Sequence, residues 1–173
     1  AAGELAAVLP PALAARIDWA TLDSLPTRYV SDALRGSETD LLFSVTVAGR
    51  PALLYLLFEH QSTPHPLMPW RLLRYMTRIW EDWLADHPGA TLLPAVVPVV
   101  LHHGPGGWTA SSAFHEILDI DTDVLAAVAR YLPSFEILID DLARVPEQAL
   151  RARAMSAVGR LVLLCLQRAR TSA

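Results

Sequence analysis

The rhythm of apolar and polar residues changes several times along the chain, and each change marks an element. From Asp40 onward, Leu41, Phe43, Val45 and Val47 alternate with Leu42, Ser44 and Thr46, the period of two expected of a half-buried strand. After Ala48-Gly49-Arg50-Pro51 comes the continuous apolar run Ala52 to Phe58, which reads as a second hairpin strand buried on both faces. Over about 70–86 the rhythm becomes helical: Leu72, Leu73, Met76, Ile79, Trp80, Trp83 and Leu84 fall on one sector at about 100° per residue. Pro69 suits the first turn of that helix, and His87-Pro88-Gly89 stops it. Leu92 to Leu101 is a Val-rich run expected to be a buried central strand, ending in His102-His103-Gly104-Pro105-Gly106-Gly107. Beyond it the pattern predicts a Trp-anchored loop over 108–120, a short helix at Asp123 to Tyr131, a last short strand at Phe135 to Ile139, and a long helix from Pro146 to Arg170. Two short helices precede the hairpin, one over 4–16 and one from Ile17 to about Leu25. The order α, β, β, α, β, α, β, α predicts an α/β fold, a mixed central sheet flanked by helices. No period of about 20 to 50 residues recurs, which excludes solenoids and propellers.

Composition narrows this further. With 173 residues, 53% hydrophobic and 18% charged, the chain is long enough for one packed core and short for two, so one domain over 1–173 is expected. All 14 basic residues are Arg and the formal net charge is -4, so nothing draws nucleic acid to the molecule as a whole. Any DNA contact must come from a local Arg cluster or from metal ions bridging to phosphate. Cys165 stands alone inside an apolar run, which excludes a disulfide framework and predicts a buried thiol in a reducing cytoplasm. The start of the chain lacks a basic leader, and no apolar run approaches the roughly 18 residues of a membrane span. Both ends read as beginning and stopping inside helices, so the chain is expected to be a piece of a longer protein.

The candidate chemistry sits on the hairpin. If Gly49-Arg50 form a two-residue loop, Ala48 pairs with Pro51 and, carried along the strands, Asp40 pairs with Glu59. Gln61 then falls on the same face. Two carboxylates brought that close repel, and one takes up a proton unless a hard divalent cation favours both ionised forms. Mg²⁺, held by one or two carboxylates with water and phosphate oxygens completing its shell, fits such a pair. The bland alternative is that Asp40 and Glu59 cap strand ends in water or pair with Arg.

Three segments, SETDLLFSV, LLFEHQSTPHPLMPWRLLRYM and LPAVVPVVLHHGPGGW, resemble the Rpn family of recombination-promoting nucleases, also described as YhgA-like transposases, over about residues 5–170. That family belongs to the PD-(D/E)XK nuclease superfamily. The resemblance implies a restriction-endonuclease-like core, Mg²⁺-dependent cleavage of DNA with Mn²⁺ as a substitute, and a chain lacking the family's first helix and C-terminal region. Carried over, Asp40 and Glu59 match the two acidic positions and Gln61 the position usually held by Lys, a departure that also occurs in the Rpn-type motif. Gln can only donate and accept hydrogen bonds there, so activation must rest more on the metal. By the same resemblance the backbone carbonyl of His60 could touch the ion. Glu38 could add a carboxylate and is left outside the core site as a solvated strand-end residue.

Arg71, Arg74 and Arg78 share a sector of the helix after the hairpin and could meet phosphates, although Asp82, four residues beyond Arg78, makes an ordinary salt-bridged face an equal reading. The Arg71 and Tyr75 pair resembles a site-flanking signature of RecB-like members of the superfamily, so Arg71, Arg74 and Tyr75 are the candidate DNA contacts. Vicinal His102-His103 suggests zinc only weakly, because successive strand residues face opposite sides and no Cys stands at ligand spacing. Walker A and Rossmann spacings are absent. The leading expectation is a Mg²⁺-dependent DNA endonuclease promoting recombination or transposition. Its rivals are a nuclease-fold module with weak or no turnover, acting in DNA binding or assembly, and a transposase carrying out strand transfer. The expected partners are DNA and, optionally, a second copy of the chain in a homodimer.

Overall fold

Two short helices, α1 (Ala2–Val8) and α2 (Pro11–Ala14), lead into three consecutive antiparallel strands, β1 (Ile17–Leu25), β2 (Thr39–Val47) and β3 (Arg50–Glu59). The long helix α3 (Met68–Asp86) then crosses over to β4 (Ala95–His102), which runs parallel to β3. A second crossover carries a 3₁₀ turn at Phe114–Ile117, α4 (Thr122–Val128) and a further 3₁₀ turn at Ala129–Tyr131. It returns as β5 (Leu138–Asp141), parallel to β4, and the chain closes with α5 (Glu147–Ala152) and α6 (Ala157–Ala169). This computed structural model describes residues 2–25, 39–59 and 63–169, with only the backbone at 39, 40, 58, 59 and 169. Among the described residues the sheet has five strands in the order β1-β2-β3-β4-β5.

The expected mixed sheet flanked by helices is what forms, an α/β fold consistent with a restriction-endonuclease-like core. Strand alternation sorts side chains onto two faces. On one, Leu42, Leu53, Tyr55, Leu57, Val96 and Val100 pack against Met68, Leu72, Tyr75, Met76 and Ile79 of α3. On the other, Phe43, Val45, Leu54 and Val99 meet Leu5 and Leu9, and Leu101 meets Leu142 just after β5 together with Leu150 and Leu163 from the C-terminal helices. β3 and β4 are thus covered on both sides, which explains their near-continuous apolar runs. Leu54, Leu57 and Leu72 are fully buried, and truncating any of them to Ala costs about 2 to 5 kcal/mol.

α3 runs antiparallel to the strands it covers. The Trp80 indole donates to the carbonyl of Pro94, 2.9 Å away just before β4 begins, which pins that stretch of the helix to the amino end of the strand. Arg71 lies nine positions earlier, about 13 Å along the axis, in the direction of the carboxyl ends of β3 and β4.

Three expectations about the elements are corrected. Ile17–Leu25 is an edge strand and not a helix. Its register breaks between Asp18 and Asp23, and there the Thr21 hydroxyl accepts the N–H of Thr46 at 2.8 Å, a side chain standing in for a ladder bond. The C-terminal helix is two helices, because Arg153 leaves helical geometry (φ -60, ψ 137). Its guanidinium reaches Asp140 on β5 in a two-pronged ion pair at 2.6 and 2.7 Å. Ser156 then opens α6: its Oγ accepts the N–H of Gly159 at 3.0 Å and donates to the Glu4 carboxylate. That hydrogen bond is the main reason the Glu4 carboxyl is pushed down from 4.5 to about 2. Finally, Cys165 is exposed, since Leu163 and Gln167 occupy the buried stripe of α6 and a residue between them points away. The short helix near 123–131 and the last strand form with shifted bounds, at Thr122–Val128 and Leu138–Asp141.

Candidate active site

The β2–β3 hairpin turns through Ala48 and Gly49, with φ of 48° and 78°, and Val47 pairs with Arg50. Both central residues of this tight turn are left-handed, as a type I′ connection requires, and its twist matches that of the strands. A Gly49-Arg50 loop would have placed Gly49 at the first position of a type II′ turn; the chain instead turns one residue earlier, with Ala48 itself at positive φ. The register therefore differs from the expected one: Asp40 lies opposite Leu57, not Glu59. A slip of one residue would have sent 40 and 59 to opposite faces; this difference of two keeps them at positions of the same parity. Diagonal neighbours across an antiparallel pair lie about 7 to 8 Å apart, a span that an ion with oxygen ligands at about 2.0 to 2.1 Å can bridge. The described structure stops at the backbone for Asp40 and Glu59, and Glu38, His60 and Gln61 lie outside the described residues.

At the carboxyl ends of the parallel strands, Glu59, His102 and Asp141 form one row, Glu59 in register with His102 and His102 with Asp141. The crevice beyond such strand ends is where open α/β sheets bind their ligands. His102 is completely buried, its ring edge-on to Trp108 with centroids 5.5 Å apart at 81°. Among the described residues neither ring nitrogen of His102, nor the indole Nε1 of Trp108, meets a hydrogen-bond partner. His103, next along, is half-buried.

Asp141 is fully occupied elsewhere. Its carboxylate accepts the backbone N–H of Trp108 at 2.8 Å and that of Ala143 at 3.0 Å, and pairs with Arg144 Nε at 3.2 Å. Arg144 in turn donates to the carbonyl of Trp108 at 2.9 Å. This clasp ties the loop after β4 to β5 and seats Trp108 on His102. Gly107 makes the clasp sterically feasible: it has φ +70°, and a Cβ there would lie 3.0 Å from Asp141 Oδ2 and 3.3 Å from Arg144 Nε.

On α3, Arg71 Nη2 donates to the Tyr75 hydroxyl at 3.2 Å, with its guanidinium carbon 6.0 Å from the Tyr75 ring centroid. Tyr75 is buried and packs obliquely on Tyr55, centroids 5.6 Å apart, while Arg71 is half-buried and Arg74 exposed. The i, i+4 spacing of Arg71 and Tyr75 thus does bring the two together. Arg78 pairs with Glu81 at 3.2 Å and not with Asp82. The sequence left the His102–Trp108–Asp141 arrangement unread; its trace was a His ending a long apolar strand, followed at once by a Gly-rich turn and a Trp.

The sequence model of the family described as "Putative transposase, YhgA-like" matches residues 1–172. The chain belongs to that family. Among curated proteins it is similar to recombination-promoting nuclease RpnA of Escherichia coli (strain K12), 37% identical over 100 residues that make up 58% of this chain and 34% of the relative. It is 36% identical to RpnC of the same strain over 97 residues, 56% of this chain and 31% of the relative. A third relative from that strain, inactive recombination-promoting nuclease-like protein RpnE, is 32% identical over 96 residues, again 56% and 31% of the two chains. The matched stretches thus make up about a third of the length of these relatives. No solved structure matches.

Proposed function

We propose that this chain is the nuclease core of a Mg²⁺-dependent DNA endonuclease that hydrolyses phosphodiester bonds in support of recombination, with Mn²⁺ able to replace Mg²⁺. Asp40 and Glu59 hold the ion, the backbone carbonyl of His60 approaches it, and Gln61 orients the attacking water or the scissile phosphate by hydrogen bonding. Arg71, fixed by Tyr75, and Arg74, reaching from solvent, meet the phosphate backbone. The observation that carries this reading is the β2–β3 register. It leaves 40 and 59 as same-parity diagonal neighbours, in register with the residues of the sheet face that α3 covers, in a chain similar to named nucleases.

The donor set suits a hard cation, since carboxylate and carbonyl oxygens favour Mg²⁺ over softer metals. When bound, the ion would lower the pKa of a coordinated water and neutralise charge developing on the phosphate. The protein's own part is to hold two carboxylates at fixed separation on paired strands and to offer donors to the phosphate oxygens. Arg71 is already oriented by its hydrogen bond to a buried Tyr, so less rotamer freedom is lost when it grips an anion.

The test is nicking of supercoiled plasmid with Mg²⁺ by the wild-type chain and by Asp40→Ala and Glu59→Ala. Loss of nicking in both variants is expected; equal nicking by all three rules the assignment out. A second reading, a nuclease scaffold without turnover, is favoured by a relative printed as inactive and by the absence of any Lys from the chain. Calorimetry separates the two: Mg²⁺ or Mn²⁺ heat that vanishes in Glu59→Ala supports the nuclease, and no such heat supports the scaffold.

A further inference from the structure

We propose that Trp70 is a base-stacking platform and that, with Arg74 beside it, the exposed face of α3 seats an unpaired strand of DNA. The inference rests on the nuclease reading above for its choice of DNA. It deepens that reading by naming the substrate class, DNA with a single-stranded stretch, and a residue that selects it.

The chain has five Trp, and four of them are tied into the fold. The Trp19 and Trp80 indoles donate to the carbonyls of Ala14 and Pro94 at 3.2 and 2.9 Å. Trp83 stacks on His87 with centroids 4.2 Å apart, and Trp108 is buried against His102. Trp70 differs: it is 47% exposed on the first turn of α3, and among the described residues its ring enters no hydrogen bond or ring contact. Arg74 is also exposed, and among the described residues its guanidinium forms no ion pair. Helix residues four apart are neighbours with Cβ atoms about 5 to 6 Å apart, so a flat π surface and a free cation stand side by side.

The surrounding sequence supplies the charge. From His60 to Trp80 the chain holds three Arg and no Asp or Glu, and the acidic residues of α3, Glu81, Asp82 and Asp86, all come after it. In a molecule of net charge -4 this is a local basic segment of the kind that attracts phosphates. It occupies the part of α3 that runs from Trp80 toward the carboxyl ends of β3 and β4. Every base offers a π face, and aromatic side chains accompanied by Arg hold single strands without reading sequence. In a duplex those faces are already stacked on one another, so the Trp70 ring gains a partner only where bases are unpaired. An acid-free, Arg-bearing surround favours this polyanion over a protein partner docking on the same ring.

The experiment is fluorescence anisotropy in EDTA, where no metal-dependent cleavage interferes, on the 173-residue chain as wild type, Trp70→Ala, Trp70→Phe and Trp70→Leu, with thermal melts in parallel. The probes are a labelled mixed-sequence DNA strand of about 20 nucleotides, longer than common single-strand sites, its blunt duplex, and the same strand as RNA. Wild type is expected to bind the DNA strand more tightly than the duplex. Trp70→Ala is expected to lose about 5- to 150-fold on the strand and to leave the duplex within about twofold, since a duplex offers the ring no free base. Trp70→Phe, which keeps a π face, should stay within a few-fold of wild type, and Trp70→Leu, apolar without one, should fall with Ala. Strand binding that is absent, no tighter than duplex binding, unchanged in Trp70→Ala, or equal in Phe and Leu overturns the proposal. An RNA strand bound tenfold more tightly than the DNA overturns DNA as the occupant. If Ala does not fold, the Phe and Leu comparison decides alone. Plasmid nicking without Trp70-dependent strand binding removes this inference and leaves the nuclease; Trp70-dependent strand binding without nicking does the reverse.

Discussion

Gln167 and His102 are both buried polar side chains, and the fold treats them in opposite ways. The Gln167 amide donates to the carbonyls of Leu142 and Val145 at 2.9 and 2.6 Å and so fastens α6 to the turn after β5. Among the described residues, His102 sits at the end of β4 with neither nitrogen engaged. The first is a fastening: its polar atoms exist to satisfy backbone groups that would otherwise be stranded away from water. The second costs stability, on the order of 1 to 3 kcal/mol for an unmet buried donor, and lies in the row that ends at Glu59. Gln167, satisfied, holds elements together; His102, unpartnered among the described residues, lies at the strand ends where chemistry is proposed.

Removing a satisfied charge should do most harm. Asp140→Ala leaves the Arg153 guanidinium, only 15% exposed at the side chain, without its counter-ion, and urea unfolding should report a loss of about 3 to 5 kcal/mol. Gln167→Leu strands the carbonyls of Leu142 and Val145 and should cost about 1 to 3 kcal/mol in the same assay. His102→Phe should fall at the other pole, changing stability by less than about 1 kcal/mol or raising it, because it abolishes an unmet donor while preserving the packing against Trp108. A loss as large as that of Gln167→Leu would erase the contrast.

Glu4→Gln probes a mostly exposed fastening between α1 and α6. The Ser156 hydrogen bond is the largest of several interactions that hold the Glu4 carboxyl down to about 2, so ionised Glu4 favours the folded state above its unfolded value of 4.5, and that contribution is lost as pH falls from 4.5 toward 2. The variant should be less stable at pH 7 by well under about 1 kcal/mol, given solvent screening, with the gap closing toward pH 2. A gap that widens on acidification reverses the sign and refutes the account. Arg74→Ala should leave stability within about 0.5 kcal/mol, because solvent already serves its exposed guanidinium. Its effect belongs to DNA: weaker binding at all sequences, with the salt dependence shallower by about one unit.

How much of this was readable in the residues follows from what kind of force shapes each part. α3 was legible because one amphipathic period governs its whole length, and β2, β3 and β4 because burial imposes their alternation or their continuous apolar runs. β1 was not, since its pairing relies on a register break and on the Thr21 hydroxyl completing a bond to Thr46, which no hydrophobic rhythm records. The break between α5 and α6 was hidden likewise: it follows from Arg153 turning aside to an Asp thirteen residues earlier. At the site, Arg71 and Tyr75 were foreseeable from helical spacing. The hairpin register was missed by two residues because the turn closes one residue earlier, with Ala48 at positive φ beside Gly49, a conformation its residue type does not announce. His102 escaped notice because burial and the lack of partners are properties of the folded chain.

Gly107 carries a consequence for the dryness of that corner. Any side chain at this position would press on the Asp141–Arg144 clasp while straining a backbone already at φ +70°, and the indole would lift from the imidazole as the loop yielded. Water would then reach His102, quenching an unmet need for a partner with solvent instead of with the protein. One absent methyl group thus keeps the Asp141–Arg144 clasp closed and the indole edge-on to the imidazole.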